Sequence, residues 1–211
     1  MPDRGQVHVV THPLVQQKLA RVRSIETQSE DFRRLMAEIA MLMAYEITRD
    51  QTTRPVEVET PLGMAEGAVL ESDITLIPIL RAGLGMADGI LRLIPQARVG
   101  HIGIYRDETT LEPVVYYNKL PSGVGRTEVI LIDPMLATGG SCVVAVDAVK
   151  KTGASRIKLL CLVASPEGIE RMRKTHPDVM VYTAAIDSHL DERGYIIPGL
   201  GDAGDRIFGT E

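Results

Sequence analysis

Apolar and polar positions along this chain alternate in blocks that predict helices and strands in turn. Apolar side chains recur every three or four residues over residues 29–48, the spacing of one face of an α-helix. Five mostly apolar runs have the composition of buried strands: residues 74–80, 99–105, 129–132, 156–164 and 179–185. Helical patterns follow several of these runs. The pattern predicts an α/β fold with a doubly wound, mostly parallel sheet flanked by helices.

Residues 55–69 show strict alternation around a turn at Pro61, Leu62 and Gly63. This pattern predicts a hairpin or two short strands. Four apolar side chains are expected to face inward: Val56, Val58, Ala68 and Val69.

Composition narrows the class of protein. The chain has 211 residues, 45% of them apolar, and a net charge of −5. We expect one domain over residues 1–211 and no nucleic-acid partner, because the sequence has no long basic run. The first residues lack an apolar leader and no segment approaches a membrane span, so we expect a cytoplasmic protein without a membrane partner. Cys142 and Cys161 lie in apolar runs and are predicted to be small core residues.

The chemistry is concentrated in residues 129–141, where a buried strand leads through a small-residue loop into a helical run. N–H groups at a helix N-terminus are unsatisfied and attract anions, and Gly139 and Gly140 let an anion approach closely. Asp133 follows the strand directly, where a carboxylate can accept hydrogen bonds from sugar hydroxyls. Residues 133–141, the anion loop, therefore suggest a site for a ribose 5-phosphate.

An ordinary strand-to-helix turn is the alternative, with two glycines for tightness and Ser141 as a helix N-cap. Turns and caps select the same residues, so the anion loop alone leaves this alternative open.

A second strand, glycine loop and helix follow at residues 74–94. Arg81 comes at the carboxyl end of the strand, the edge where open α/β sheets bind ligands, and an arginine there can bind phosphate oxygens with two nitrogens. Arg106 comes after the next strand in the same way.

Two common types of nucleotide-binding site are disfavoured. Gly199, Gly201 and Gly204 match the spacing G-x-G-x-x-G, but only seven residues follow Gly204, too few for the strand–helix–strand unit that the motif requires. The sequence also has no G-x-x-x-x-G-K-[ST], which disfavours a Walker-type triphosphatase.

Four segments in order carry a resemblance to a known family. They are residues 78–86 (PILRAGLGM), 104–108 (IYRDE), 132–141 (IDPMLATGGS) and 194–206 (GYIIPGLGDAGDR). Together they resemble the type I phosphoribosyltransferases in the form found in the uracil phosphoribosyltransferase family. The likeness extends from His12 to the C-terminus. The wider superfamily usually has two adjacent acidic residues after the strand, whereas Asp133 is followed here by Pro134 and is the only carboxylate for that role.

The resemblance implies how phosphoribosyl pyrophosphate (PRPP) would bind. The backbone of residues 137–141 would hold the 5-phosphate, Asp133 the ribose hydroxyls, and Arg81 and Arg106 the pyrophosphate, with a cis peptide bond between Arg81 and Ala82. The full implied set for PRPP is Arg81, Arg106, Asp133, Pro134, Met135, Leu136, Ala137, Thr138, Gly139, Gly140, Ser141 and Asp202.

The resemblance places base recognition in residues 186–211. Ile196, Gly201, Asp202 and Ala203 would contact uracil, and we call residues 196–203 the base loop. Asp202 would also lie near the reacting centre, so Asp202, Arg81 and Arg106 are the candidate catalytic residues.

The implied reaction converts uracil and PRPP to UMP and pyrophosphate, as in pyrimidine salvage. Mg²⁺ would be the cofactor, bound mainly through the substrate pyrophosphate without a metal site made of protein side chains. Long connections often act as lids, and we predict a β-arm at residues 106–125 that covers the site. Some relatives are activated allosterically by GTP, but the sequence reveals no GTP site. The methionine-rich helix at residues 29–48 and the arm suggest a homodimer or larger homo-oligomer.

Two other functions remain open at this point. A regulator on the same fold that binds RNA or a nucleotide is disfavoured by the net charge of −5. A transferase for another base would differ in the base loop.

Overall fold

A computed structural model describes residues 7–106 and 112–210, with Arg106 described by its backbone alone. Thirteen strands lie in these ranges: β1 (Val7–Val9), β2 (Thr53–Thr60), β3 (Gly63–Leu70), β4 (Ile74–Leu80), β5 (Arg98–Val99), β6 (His101–Arg106), β7 (Pro113–Lys119), β8 (Glu128–Ile132), β9 (Met135–Leu136), β10 (Ile157–Ala164), β11 (Met180–Ile186), β12 (His189–Leu190) and β13 (Ile196–Ile197).

Six α-helices accompany the strands within the same ranges: α1 (Pro13–Arg23), α2 (Ser29–Ile47), α3 (Leu84–Leu93), α4 (Gly140–Lys150), α5 (Pro166–Thr175) and α6 (Ala203–Phe208). Several begin as their sequences indicate. In α5, for example, Ser165 accepts a hydrogen bond from the Gly168 N–H and Pro166 occupies the first turn, where its missing N–H costs nothing.

The central sheet has the order β1-β11-β10-β8-β4-β6-β7, with β5 beside β4 and β9 beside β10. All of these pairings are parallel except β6 with β7. The expected mostly parallel sheet is confirmed.

Helices cover both faces of this sheet. One buried cluster joins α1, α2, α3 and α6 to the face that carries Leu76 and Ile130, and the other joins α4 and α5 to the face that carries Ile77 and Leu131. Neighbouring strand residues point to opposite faces, so continuous apolar runs are needed to fill both clusters. The doubly wound arrangement predicted from those runs is correct.

The carboxyl ends of three neighbouring strands meet at one edge of the sheet. Pro78 of β4 pairs with Ile132 of β8, and Leu80 of β4 pairs with Gly103 of β6. The residues that follow these strand ends, Arg81 and Asp133, are thereby brought to the same edge.

The hairpin at residues 55–69 exists but is not packed as expected. β2 and β3 pair only with each other, as a separate two-stranded sheet. Val58 and Val69 are 44% and 38% exposed, Ala68 is exposed and Val56 is only half-buried, so the prediction that these side chains face a core is wrong. Alternation identified the strands, but it carried no information about what covers them.

The predicted arm is described only in part. β7 returns antiparallel to β6 along the sheet edge, and a 3₁₀ turn follows at Val124–Arg126. Residues 107–111, between these two strands, lie outside the described residues.

Two further expectations concern apolar segments. In the described ranges, no helix combines the length and hydropathy needed to cross a bilayer. Cys142 and Cys161 are 2% and 0% exposed, as expected for core residues.

Candidate functional site

The anion loop joins β8 to α4 through a short, tightly held backbone. Asp133 donates its N–H to the Leu160 carbonyl at 3.1 Å, and β9 pairs with the end of β10. Gly139 has φ +76°, a left-handed conformation that side chains disfavour, and it turns the chain into α4 at Gly140. The helix therefore starts one residue before Ser141, with Gly139 in the N-cap position, and the Gly140 N–H lies 3.5 Å from the Thr138 hydroxyl oxygen. The alternative in which Ser141 is the N-cap is wrong.

The start of α5 packs against the anion loop and forms hydrogen bonds with its carbonyls. Ser165 donates its hydroxyl to the Ala137 carbonyl at 2.6 Å, and its N–H bonds to the Leu136 carbonyl at 2.9 Å. A Cβ atom on Gly168 would lie 2.3 Å from the Ala137 carbonyl oxygen, so only glycine allows this approach. Both carbonyls are thereby bound by the start of α5, and the N–H groups in the first turn of α4 are of the kind that can bind an anion.

The carboxyl group of Asp133 lies at the start of the anion loop and has a shifted pKa. Enclosure by protein raises the pKa of its carboxyl group to about 6, and hydrogen bonds from the Met135 N–H at 3.3 Å and the Cys142 thiol at 3.7 Å offset part of that rise. A carboxylate with few donors keeps lone pairs for a ligand. Asp133 can therefore accept hydrogen bonds from hydroxyl groups that lie beside the anion.

The loop after β4 packs directly against the end of β8, next to the anion loop. A Cβ atom on Gly83 would lie 2.6 Å from the Ile132 carbonyl oxygen, so glycine is required for this contact. The peptide bond between Leu80 and Arg81 is cis. The expected cis bond between Arg81 and Ala82 is therefore wrong by one residue.

Arg81 links this loop to the C-terminal helix. Its guanidinium group lies 3.4 Å from the Asp205 carboxylate and 5.7 Å from the centre of the Phe208 ring. The side chain is 56% exposed, so the guanidinium group remains accessible to a ligand. Arg81 thus faces the site between the anion loop and the base loop.

Arg106 approaches the same edge through its backbone. It pairs with Pro113, and the Pro113 ring would lie 3.6 Å from a Cβ atom on Gly140. The end of β6 therefore lies near the start of α4. The predicted contact between the Arg106 side chain and pyrophosphate falls outside the described atoms.

The base loop is a compact turn between β13 and α6. The Ile197–Pro198 bond is cis, and Gly199 and Gly201 have φ +60° and +77°. The side chains of Ile196 and Ala203 are buried, whereas Gly201 and Asp202 are exposed. Asp202 caps α6 by accepting a hydrogen bond from the Asp205 N–H at 3.0 Å. The loop can therefore present backbone groups and one carboxylate to a ligand.

Three arginines near the two loops were not predicted from the sequence. Arg171 of α5 donates to the Thr138 carbonyl at 3.5 Å and lies along the anion loop. Arg23 and Arg206 donate to carbonyls of the base loop. The sequence around Arg171 shows only that it lies on the outer face of a helix, beside the buried Met172. Arg23 and Arg206 bind carbonyls that lie far away in the sequence or give no sequence signal.

A cavity of about 60 Å³ is lined by Asp133, Met135 and residues 137–142. Larger clefts lie elsewhere, including one of about 520 Å³ whose lining includes Lys158 and Glu128, which form an ion pair of 3.0 Å. Size alone therefore does not locate the site. The N-terminus of α4, Asp133 and Arg81 all follow strands that end at the same edge of the sheet, where open α/β sheets bind ligands.

The described residues contain no cluster of three or more His, Cys, Asp or Glu side chains that could hold a metal ion. Mg²⁺ commonly binds through substrate phosphates, water and one or two carboxylates. The donor set at this edge fits an ion carried in with a phosphorylated substrate.

The fold is that of the phosphoribosyltransferases. A purine phosphoribosyltransferase from Pyrococcus horikoshii, 20% identical, superimposes with a TM-score of 0.51 over 72% of this chain and 83% of that chain. The AQ2163 protein from Aquifex aeolicus, 37% identical, superimposes with a TM-score of 0.93 over 97% of this chain and 99% of that chain.

The branch within this class follows from sequence. The uracil phosphoribosyltransferase of Dictyoglomus turgidum is 57% identical over 206 residues, 97% of this chain and 100% of the relative. A sequence model described as uracil phosphoribosyltransferase matches residues 9–210. The chain belongs to the uracil phosphoribosyltransferase family.

Proposed function

We propose that this enzyme transfers the 5-phosphoribosyl group from PRPP to uracil, giving UMP and pyrophosphate in pyrimidine salvage, with the residue roles set out below. The observation that carries the proposal is the meeting of three groups at one sheet edge. These are the N-terminus of α4, the weakly solvated Asp133 carboxylate and the exposed Arg81 guanidinium. An anion, a sugar and a pyrophosphate need these three kinds of group.

The anion loop would bind the ribose 5-phosphate. Its glycines keep side chains away from the anion, and the N–H groups at the start of α4 supply donors and the positive end of the helix dipole. Asp133 would accept hydrogen bonds from the ribose hydroxyls. With a pKa of about 6, the Asp133 carboxyl group is mostly ionised at neutral pH, the state in which it accepts these hydrogen bonds most strongly.

The leaving group would be stabilised by positive charge. As the anomeric C–O bond breaks, the sugar gains oxocarbenium character and the pyrophosphate gains negative charge. Arg81 and Arg106 would bind that pyrophosphate and stabilise its departure. Mg²⁺, when bound to the pyrophosphate, would neutralise further charge.

The base loop would hold uracil through backbone groups of Ile196 and residues 201–203. Asp202 is exposed beside these groups, so it would orient uracil or accept its N1 proton. The nucleophilic N1 then forms the new bond to the anomeric carbon from the face opposite the pyrophosphate.

The arm at residues 106–125 would exclude water while the sugar is activated. Transfer of the phosphoribosyl group to water would consume PRPP without forming UMP, and a segment that covers the site would prevent this side reaction. The homo-oligomer stays a prediction, and regulation by GTP stays an expectation taken from the resemblance to relatives.

A competition assay tests this function. Purified enzyme with PRPP and Mg²⁺ is offered uracil, orotate, hypoxanthine and adenine together, and the nucleotides are identified by mass spectrometry. We expect UMP as the dominant product. Faster formation of another nucleotide would reassign the base, and tight binding of RNA without nucleotide formation would favour the regulator.

A further inference from the structure

Two arginines outside the reacting groups hold the base loop. Arg23, the last residue of α1, donates to the Gly199 carbonyl at 2.7 Å, and Arg206 of α6 donates to the Leu200 carbonyl at 2.7 Å. These are consecutive peptide groups, and Gly201 and Asp202 follow directly. The backbone of the base loop is therefore bound at two successive carbonyls just before the residues assigned to uracil.

Arg23 is itself fixed by an acidic partner. Its guanidinium group forms two hydrogen bonds with the Asp187 carboxylate, at 2.6 and 2.8 Å, and the Asp187 side chain is 5% exposed. The same carboxylate accepts the Gly199 N–H at 2.9 Å. The pair thus binds both the N–H and the C=O of Gly199.

Among the residues that the structure describes, Arg206 is fixed by carbonyl groups and an aromatic ring and has no acidic partner. Its remaining hydrogen bonds go to backbone carbonyls at the end of α1 and beyond, to Val22 at 2.7 Å, Ser24 at 2.6 Å and Thr27 at 3.4 Å. Its guanidinium group stacks on the buried Phe32 ring of α2, 4.3 Å from the ring centre. A charged group bound to so many carbonyls forms strong, directional hydrogen bonds.

Both arginines connect the base loop to the same part of the chain, residues 22–27 at the end of α1. The glycine conformations explain why such support is needed. Gly199 and Gly201 have positive φ values and little intrinsic preference for one conformation, so the chain itself does not fix the loop.

We propose that Arg23 and Arg206 are positioning residues for uracil, which set the backbone of the base loop so that residues 201–203 face the base. The inference rests on the proposed function of that loop. Neither guanidinium group is assigned to PRPP, so its loss acts on uracil binding and not on the anion loop.

Kinetics of lysine variants test the inference. Lysine keeps the charge but cannot donate to several fixed carbonyls at once. We expect Arg206→Lys to raise the KM for uracil at least tenfold and Arg23→Lys about fivefold, with the KM for PRPP within twofold of wild type. Arg173→Lys, at an exposed arginine paired with Glu170 at 3.3 Å, is the matched control and should change neither value.

Hydrogen exchange supplies a second measurement on the unliganded protein. Amides of residues 199–203 should exchange faster in both variants, while those of residues 137–141 stay as in wild type. An unchanged KM for uracil in both variants would overturn the inference, as would an equal rise in both KM values. If Arg206→Lys does not fold, Arg23→Lys decides by the same criteria, since its side chain is 23% exposed at a helix end.

The outcome is separable from failure of the proposed function. If the proposed function is wrong, wild-type enzyme would form no UMP from uracil, whatever the variants do. Wild-type turnover with unchanged uracil KM in the variants would contradict only the positioning role.

Discussion

The anion loop and the base loop both use backbone groups and glycines, yet they are supported over very different distances in sequence. Ser165 and Arg171, which contact the anion loop, lie 28 and 33 residues from their partners Ala137 and Thr138. Arg23 lies 176 residues from Gly199, and Arg206 lies 184 residues from Val22. The proposed phosphate half of the site is thus built within one part of the sheet, whereas the proposed base half depends on joining the two ends of the chain.

This difference predicts that changes in the two loops will separate PRPP binding from uracil binding. The largest effect is expected at Asp133. Asp133→Asn should lower kcat/KM for PRPP by about 10²–10⁴, because charged hydrogen bonds to two hydroxyls contribute roughly 1.5–3 kcal/mol each. It should also raise the melting temperature at pH 8, since enclosure by protein raises the pKa of the Asp133 carboxyl group to about 6 and so disfavours its ionised form in the folded state. Steady-state kinetics and calorimetry measure both. Asp88→Asn, at an exposed carboxylate on α3, should change neither.

Asp202 should show the opposite selectivity. Asp202→Asn should lower kcat by about 10², the lower range for a group that manages a proton, while PRPP binding stays largely intact. Asn caps a helix as well as Asp does, so α6 should remain folded. Titration calorimetry measures PRPP binding, and an assay with uracil measures turnover. Glu192→Gln, at an exposed carboxylate, is the control. Unchanged turnover would contradict the assignment.

The pH dependence of stability and of PRPP binding tests the role of Asp133 in the anion loop. The pKa of Asp133 is raised in the folded state, so the fold is favoured while the group is protonated, and stability falls as pH rises from about 4 to 6. PRPP binding needs the ionised form and should weaken about tenfold per pH unit below 6. Dividing the dissociation constant of Asp133→Asn by that of wild type at each pH removes the titration of the substrate itself. A ratio that does not change between pH 5 and 8 would contradict the role of Asp133.

The smallest expected effect compares two glycines with the same backbone conformation. Gly139 has φ +76° in the anion loop, and Gly153 has φ +85° beyond the end of α4. Alanine at either position should cost about 1–2 kcal/mol of stability through the left-handed conformation. Only Gly139→Ala should also raise the KM for PRPP, about fivefold, because Gly153 faces open space away from the site. Equal PRPP kinetics in the two variants would argue against the anion loop.

The features that could be predicted from sequence are those with local causes. The apolar periodicity predicted a helix at residues 29–48, and α2 spans Ser29–Ile47. The anion loop was readable because strand, glycines and helix are consecutive. The roles of Arg23 and Arg206 could not be predicted, since their acceptors are carbonyls that only the folded chain brings near. Cys142 was correctly placed in the core, but its hydrogen bond to Asp133 depends on the turn geometry.

The contact between Gly83 and the end of β8 has a consequence for motion. Because Gly83 packs closely on the Ile132 carbonyl oxygen, we expect the loop that carries Arg81 and the loop that carries Asp133 to keep their relative position. Substrate access and product release would then involve displacement of other segments of the proposed site.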